Sequence, residues 1–315
     1  MIIFARRSIN MDRNTRYIVR LIFQNKIYSC DGAAFEAFFS QIMQCHNTNF
    51  RQVKPQGQYG DRKNDGFDST TGTYYQVYAP ENIQTKEKET IEKLVADFNG
   101  LYSYWQNITP ISFFYYVVND KYKGAYASLY EELQKIRTQY PGITVDSFLS
   151  KNLEDTFMSL DENSQTDIIG VIPPPDNIDV EYGVMKDVVD YLLKVKTNPQ
   201  KEIIPVNPDF GQKITFNNLS ENVATYLNYH RINEYAISDF FELNSDFAKS
   251  ELRDVFNGLY NEALAIIPDS EDKNDKVFFY IYEKAYPTHS MVIDSAIFTL
   301  MAYYFEYCDI FEVPV

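Results

Sequence analysis

The stretch Gly60-Asp-Arg-Lys-Asn-Asp65-Gly-Phe-Asp68, followed by Thr73-Tyr-Tyr-Gln76-Val-Tyr78, gathers residue types that metal-assisted phosphodiester chemistry requires. Mg²⁺ takes hard oxygen ligands, namely carboxylates, carbonyls and water. A group that activates or orients water beside the scissile phosphate completes such a site. An Asp on one strand of a hairpin, with an amide and a cation two residues apart on the next, is one economical layout. Two-residue spacing sends both side chains to the same face of a strand. Asp65 and Gln76 fit that spacing, and Glu36 on a preceding helix can supply a further oxygen ligand. The candidate site is therefore Asp65, Gln76 and Glu36, with Asp65 and Glu36 as ligands of Mg²⁺.

The elements that must position these residues follow from periodicity and turn chemistry. Residues 17–29 read as a short β hairpin turning at Asn25-Lys26. Asp31 is placed to cap a helix whose apolar face is Phe35, Phe38, Phe39, Ile42 and Met43. Phe50 to Val53 and Thr73 to Tyr78 have strand composition, with a loop-rich segment from Gly57 to Gly72 between them. An amphipathic helix is predicted over Lys86 to Trp105, with Glu87 to Lys93 as a solvated face carrying i,i+4 pairs such as Glu89–Lys93. Ile111 to Val118 is a continuous apolar strand, and Ala125 to Tyr140 a helix. Ile143-Thr-Val, a short helix near Leu153 and a strand at Ile168 to Ile172 follow. The expected fold is α/β, a mixed sheet flanked by helices.

Pro173-Pro-Pro175 interrupts this pattern, and a second break spans Pro199 to Pro208. Helical periodicity then covers 219–227, 232–241, 248–267, 275–286 and 291–308. The expected organisation is a nuclease-like α/β domain at 1–172, a connecting region at 173–208 and a helical docking domain at 209–315.

Composition narrows the function classes. The 315 residues suit two domains, and 45% hydrophobic content supports packed cores. Three scattered cysteines, Cys30, Cys45 and Cys308, point to a reducing compartment. No stretch approaches the roughly 18 apolar residues of a membrane helix, and the opening segment lacks a signal-type cleavage site. The expectation is a soluble, cytoplasmic protein without membrane contact. A net charge of −15 opposes binding of phosphates, so nucleic acid is expected as a ligand only inside a complex that supplies attraction. His46, His230 and His289 lack zinc-type spacing, and neither a P-loop nor a Gly-x-Ser-x-Gly elbow occurs.

The Asp65–Gln76 pattern resembles the PD-(D/E)xK restriction-endonuclease-like superfamily, in the branches whose third motif reads Gln-x-Lys. The helix–hairpin–helix–strand order over about Asp31 to Val118 fits the core of that superfamily. Position 78 departs from it: Tyr78 stands where the resemblance implies Lys, and a phenol with an ordinary pKa of about 10 is no permanent cation. Lys54 or Lys63 could take over the charge. The bland alternative is that Gly60 to Asp68 is ordinary turn sequence and 73–78 an ordinary strand.

A second resemblance covers the C-terminal third. Lys213-Ile-Thr-Phe-Asn217, Asp239-Phe-Phe241, the run from Leu300 to Glu312 and Pro314 look like the C-terminal domains of bacterial ABC three-component defence systems. That resemblance implies an effector chain docked through its C-terminal domain onto an ABC-type ATPase, with a small middle component. Met301, Tyr304, Phe305 and Cys308 follow a helical stripe expected to be core. The tail from Ile310 to Val315 is expected in solvent, as a partner patch. Two readings stay open: a Mg²⁺-dependent DNA nuclease active only in that complex, or a nuclease-like module that senses or scaffolds.

Overall fold

The computed structural model describes residues 12–54, 62–81, 85–170, 176–177, 180–200, 209–244, 246–307 and 309–314. Pro173–Pro175, most of the 199–208 break, Gly60, Asp61 and Cys308 lie outside them. The chain divides into two compact units, one of residues 26–168 and one formed by residues up to Asn25 together with those from Ile169 onward.

The 26–168 unit is built on a mixed five-stranded sheet, in the order β1 (Phe50–Gln52), β2 (Gly66–Asp68), β3 (Thr73–Tyr78), β4 (Phe113–Val118), β5 (Thr144–Leu149). β1, β2 and β3 pair antiparallel, with Gly66 opposite Tyr75, whereas β3, β4 and β5 run parallel. Parallel pairs need crossovers, and α3 (Glu87–Trp105) and α4 (Ala127–Gln139) supply them. Alternation along β3 divides the two faces of the sheet. Tyr75 meets Phe39 of α2 (Gly32–His46) at 5.6 Å between ring centroids, while Tyr74 meets Trp105 of α3 at 5.9 Å. On the α3 side Leu94, Phe98 and Leu101 pack with Phe114, Leu133 and Val145. Burying each such side chain contributes about 1.5–3 kcal/mol. Every residue of β3 is buried, as a strand covered on both faces must be. Two further helices, α5 (Ser150–Met158) and α6 (Glu162–Ile169), close the unit. The strand expected at Ile168 to Ile172 is corrected: Ile168 and Ile169 end α6, and Gly170 at φ +93° follows the last turn as a helix-stopping glycine does.

The hairpin expected at 17–29 is also corrected. Residues Arg13–Ser29 form one helix, α1. Its start is fixed by Asp12, whose Oδ1 accepts the backbone N–H groups of Asn14 (2.8 Å) and Thr15 (3.1 Å). Ile18, Val19, Leu21, Ile22 and Phe23 are all buried, so the strand-like alternation came from a helix covered on most sides. Asp31 stands at the N-terminus of α2 without capping it; its carboxylate pairs with Lys121 at 2.9 Å.

The second unit is helical: α7 (Tyr182–Leu192), α8 (Phe210–Phe216), α9 (Glu221–Arg231), α10 (Glu234–Asn244), α11 (Asp246–Ile266), α12 (Lys273–Ala285) and α13 (Met291–Glu306). α13 is buried continuously from Asp294 to Phe305, against α7, α9, α10, α11 and α12. A helix apolar on all sides is a core helix, not the one-faced stripe expected from sequence. Ser290 starts it by accepting Ile293 N–H, as Ser220 does for α9. Tyr17 of α1 donates to Asp275 Oδ2 at 2.9 Å, and Asn25 Nδ2 donates to Lys276 O at 3.0 Å. The fold class is the expected one, a mixed sheet flanked by helices followed by a helical region, with residues up to Asn25 grouped with the helical unit. Among the described residues no helix is long and apolar enough to cross a membrane.

Candidate functional site

Asp65 stands one residue before β2. Its N–H donates to Tyr75 O at 3.0 Å, and its Oδ2 accepts Val77 N–H at 2.6 Å, so the carboxylate is fixed against β3. The register that sets Gly66 opposite Tyr75 brings Asp65 opposite Gln76. Gln76 alternates with Tyr74 and Tyr78 and therefore faces α3. Gln76 is buried, and among the described residues its Oε1 accepts no hydrogen bond and neither side-chain polar atom of buried Asn64 has a partner. Orphaned buried polar atoms cost about 1–3 kcal/mol each and mark places where an ion, water or ligand belongs.

Tyr78 lies beside these groups on the same face. Its hydroxyl donates to Glu89 Oε1 at 3.1 Å, and its ring stacks on Tyr116 at 6.2 Å. Burial, followed by the Glu89 hydrogen bond and charge, pushes the Tyr78 phenol up to about 12, so it stays protonated at neutral pH. Burial first, then the charges of Asp97 and other neighbours including Asp65, raises Tyr116 further.

Cations reach this face from α3 and the loop before β2. Lys93 Nζ sits 5.6 Å from the Tyr78 ring centroid and pairs with Asp97 Oδ2 at 2.6 Å. Lys63 pairs with Asp97 Oδ1 at 2.9 Å. Asp97 itself is 1% exposed. Glu87, Lys88, Glu89 and Glu92 are solvated as expected, with Lys88–Glu92 an i,i+4 pair at 3.7 Å, but the Glu89–Lys93 pair is corrected: Glu89 bonds Tyr78 and Lys86, and Lys93 turns to Asp97. Asp97 was not singled out from sequence, and Lys93 was read only as an i,i+4 partner of Glu89. The signal was available, because Asp97 lies on the apolar side of α3, between Leu94 and Leu101, and a carboxylate there needs a partner.

Glu36 belongs to α2, which packs on the Tyr75 face, whereas Gln76 faces α3. Among the described residues no three His, Cys, Asp or Glu side chains gather to hold a metal ion. Mg²⁺ commonly takes one or two carboxylates with the rest of its shell from water and substrate phosphates. The carboxylate of Asp65, bonded to β3, and the orphaned Gln76 Oε1 are oxygen donors suited to such a partial shell.

The residues that carried the C-terminal resemblance form a structural lock. Lys213, fully buried on α8, donates from Nζ to Phe305 O and, at 2.8 Å, to Ile310 O. Its ammonium lies 4.3 Å from the Phe305 ring centroid. Asn217 donates to Glu312 O at 2.8 Å and accepts Glu312 N–H at 2.9 Å, so its amide pairs with the tail as a strand would. Asn257 Nδ2 holds Asp309 O at 3.0 Å. Ile310 and Phe311 are fully buried, Phe311 between Tyr260 and Phe305. The expected solvent-exposed apolar tail is therefore corrected: this segment closes its own core.

The chain thus joins an α/β unit bearing an acid–amide–lysine cluster to an all-helical unit with an internally locked terminus. Residues 185–312 match the family model of C-terminal domain 10 of the ABC-three component (ABC-3C) systems, which supports a place for the chain among the components of such a system. No curated protein and no solved structure matches it.

Proposed function

We propose that this chain is the nuclease-like effector or sensor of its defence complex, docked through its helical C-terminal domain onto an ABC-type ATPase together with a small middle component. The observation that carries the reading is Asp65 opposite Gln76, with Tyr78 two residues on, in a unit ordered α2, three antiparallel strands, α3, parallel strand. That order and pairing support a restriction-endonuclease-like core. Tyr78 in place of a lysine, and a net charge of −15, favour action inside a complex over action alone.

A second reading, an active Mg²⁺-dependent DNA nuclease in the assembled complex, is favoured by the orphaned Gln76 Oε1. Asp65 and Gln76 would hold the ion, which when bound polarises a phosphoryl oxygen and activates water. Asp65 is oriented by the hydrogen bond that Val77 N–H donates to its Oδ2. The purified chain is expected to leave DNA intact with Mg²⁺. Cleavage that appears only with the ATPase and middle component, and is lost in Asp65→Ala, establishes the active reading. Robust cleavage by the isolated wild-type chain would overturn the dependence on partners.

Docking needs a surface, and the buried tail does not provide one. Around the α9–α10 junction Ile232 is 64% and Tyr235 84% exposed. Large exposed apolar and aromatic residues of this kind suit a protein interface. Tyr235→Asp is expected to weaken co-purification with the ATPase or middle component at least tenfold while leaving thermal unfolding unchanged. Co-purification at wild-type strength would remove this face from the interface.

A further inference from the structure

We propose that Lys63 and Lys93, gripped together by the buried Asp97 carboxylate, form a subsite for the phosphodiester backbone of DNA beside Asp65 and Gln76; this rests on the nuclease-like reading of the same face.

Three independent features converge on that cluster. The first is charge. One buried carboxylate binds two ammonium groups that remain 47% and 34% exposed, so the cluster presents a net positive charge on a chain of net −15. A structural ion pair would need only one lysine. Two fixed ammonium groups match the geometry of phosphate oxygens, which accept from several donors at once.

The second feature is backbone conformation. Arg62 and Lys63 both adopt left-handed φ, 58° and 64°, though neither is glycine. Consecutive left-handed residues with side chains are disfavoured and persist where surroundings hold them, most often at ligand sites. Here the Arg62 guanidinium lies 4.8 Å from the Tyr104 ring centroid, and Lys63 is held by Asp97. Gly100, in the interior of α3, is the third element of this arrangement: a Cβ there would come within 2.9 Å of Lys63 Cγ. A mid-helix glycine disfavours the helix and needs a packing reason. Clearing the path of the Lys63 stem across α3 is that reason.

The third feature is the set of orphaned polar atoms. Asn64 separates Lys63 from Asp65, and both of its side-chain polar atoms are buried without partners among the described residues, as is Gln76 Oε1. Both amides are buried, so their unpartnered atoms suit a bridging water or small cation beneath the lysines and not the duplex itself. The lysines supply attraction at the place where the rest of the surface repels.

The test measures binding of a short fluorescent DNA duplex to the chain assembled with the ATPase and middle component at low salt, by anisotropy across a salt series. Lys93→Gln and Lys63→Gln are each expected to weaken binding about fivefold to tenfold and to lower the salt slope by about one. Lys93→Arg, which keeps the cation, should restore binding to within about twofold, showing that the loss is one of charge and not of folding. Lys88→Gln, on the outer face of the same helix, should have no effect. Wild-type binding in Lys93→Gln, an equal loss in Lys88→Gln, or no duplex binding by the wild type overturns the subsite. If Asp65→Ala abolishes cleavage by the complex while Lys93→Gln still binds normally, the lysine subsite fails and the nuclease-like reading stands.

Discussion

Lys213→Met is expected to destabilise the helical unit by about 2–4 kcal/mol. Each hydrogen bond from a charged donor contributes about 1.5–3 kcal/mol, and Lys213 makes two, to Phe305 O and Ile310 O. Relief of the desolvation of a fully buried ammonium offsets part of that loss. Methionine keeps the length and apolar stem of lysine, so the change removes the donors with little change of packing. Phe305 and Ile310 then keep carbonyls without their donor, and the segment carrying Ile310 and Phe311 loses its tether. A fall in melting temperature of about 5–15 °C, followed by circular dichroism, is the expected reading. A shift below about 2 °C would show that Asn217 and Asn257 hold the tail without Lys213.

The second large effect is one of pH. His230 is 1% exposed, with Nδ1 3.2 Å from Thr299 Oγ1 and its ring against Phe298. Thr299 Oγ1 already donates to Ser295 O at 2.7 Å, so it accepts from His230, and the imidazole carries its proton on Nδ1. Burial lowers the His230 pKa from 6.5 to about 4. The unfolded chain therefore takes up this proton at higher pH than the folded chain does. Stability from His230 is present in full above about pH 6.5 and is lost progressively as pH falls toward about 4. Between about pH 7 and pH 5 the loss amounts to about 2 kcal/mol. Denaturant unfolding of wild type and His230→Asn at both pH values isolates it: the variant should lose about 2 kcal/mol less on acidification. Equal losses in the two proteins would place the pH dependence elsewhere.

Strand and helix periodicity made most of the sheet unit legible. β3, β4, α2, α3 and α4 lie within a few residues of the segments read from sequence. α1 was misread because Ile, Val and Phe dominate residues 18–23, and a helix buried on most sides has no polar face to reveal its period. The decisive sign was local, a lone Asp12 cap. In the candidate site, the antiparallel pairing that holds Asp65 against β3 was legible from the turn-rich stretch before a strand-like run. Lys93 and Asp97 were not, because their i,i+4 spacing looks the same whether the pair is solvated or turned onto a sheet. The tail failed for a related reason: the acidic, apolar run ending in Pro314 says nothing about Lys213, 97 residues before Ile310, whose ammonium holds that segment down. With Phe311 in the core, Phe311→Asp would test folding and not docking, and a cut after Tyr286 would remove the central helix α13.

The bond between Tyr17 and Asp275 joins residues 258 positions apart, within a unit whose last lock is made at Glu312. Contacts so distant along the chain are slow to form and cannot form before both ends exist. At about 5–20 residues per second, a ribosome needs roughly 13–50 s to travel from the first partner to the second. During that interval residues 26–168 are complete and can fold, while Ile18, Val19, Leu21 and Ile22 still lack the helices that will cover them. Residues 18–22 therefore stay sticky while the intervening residues are made, and the helices that follow Ile169 are the part that finally shields them.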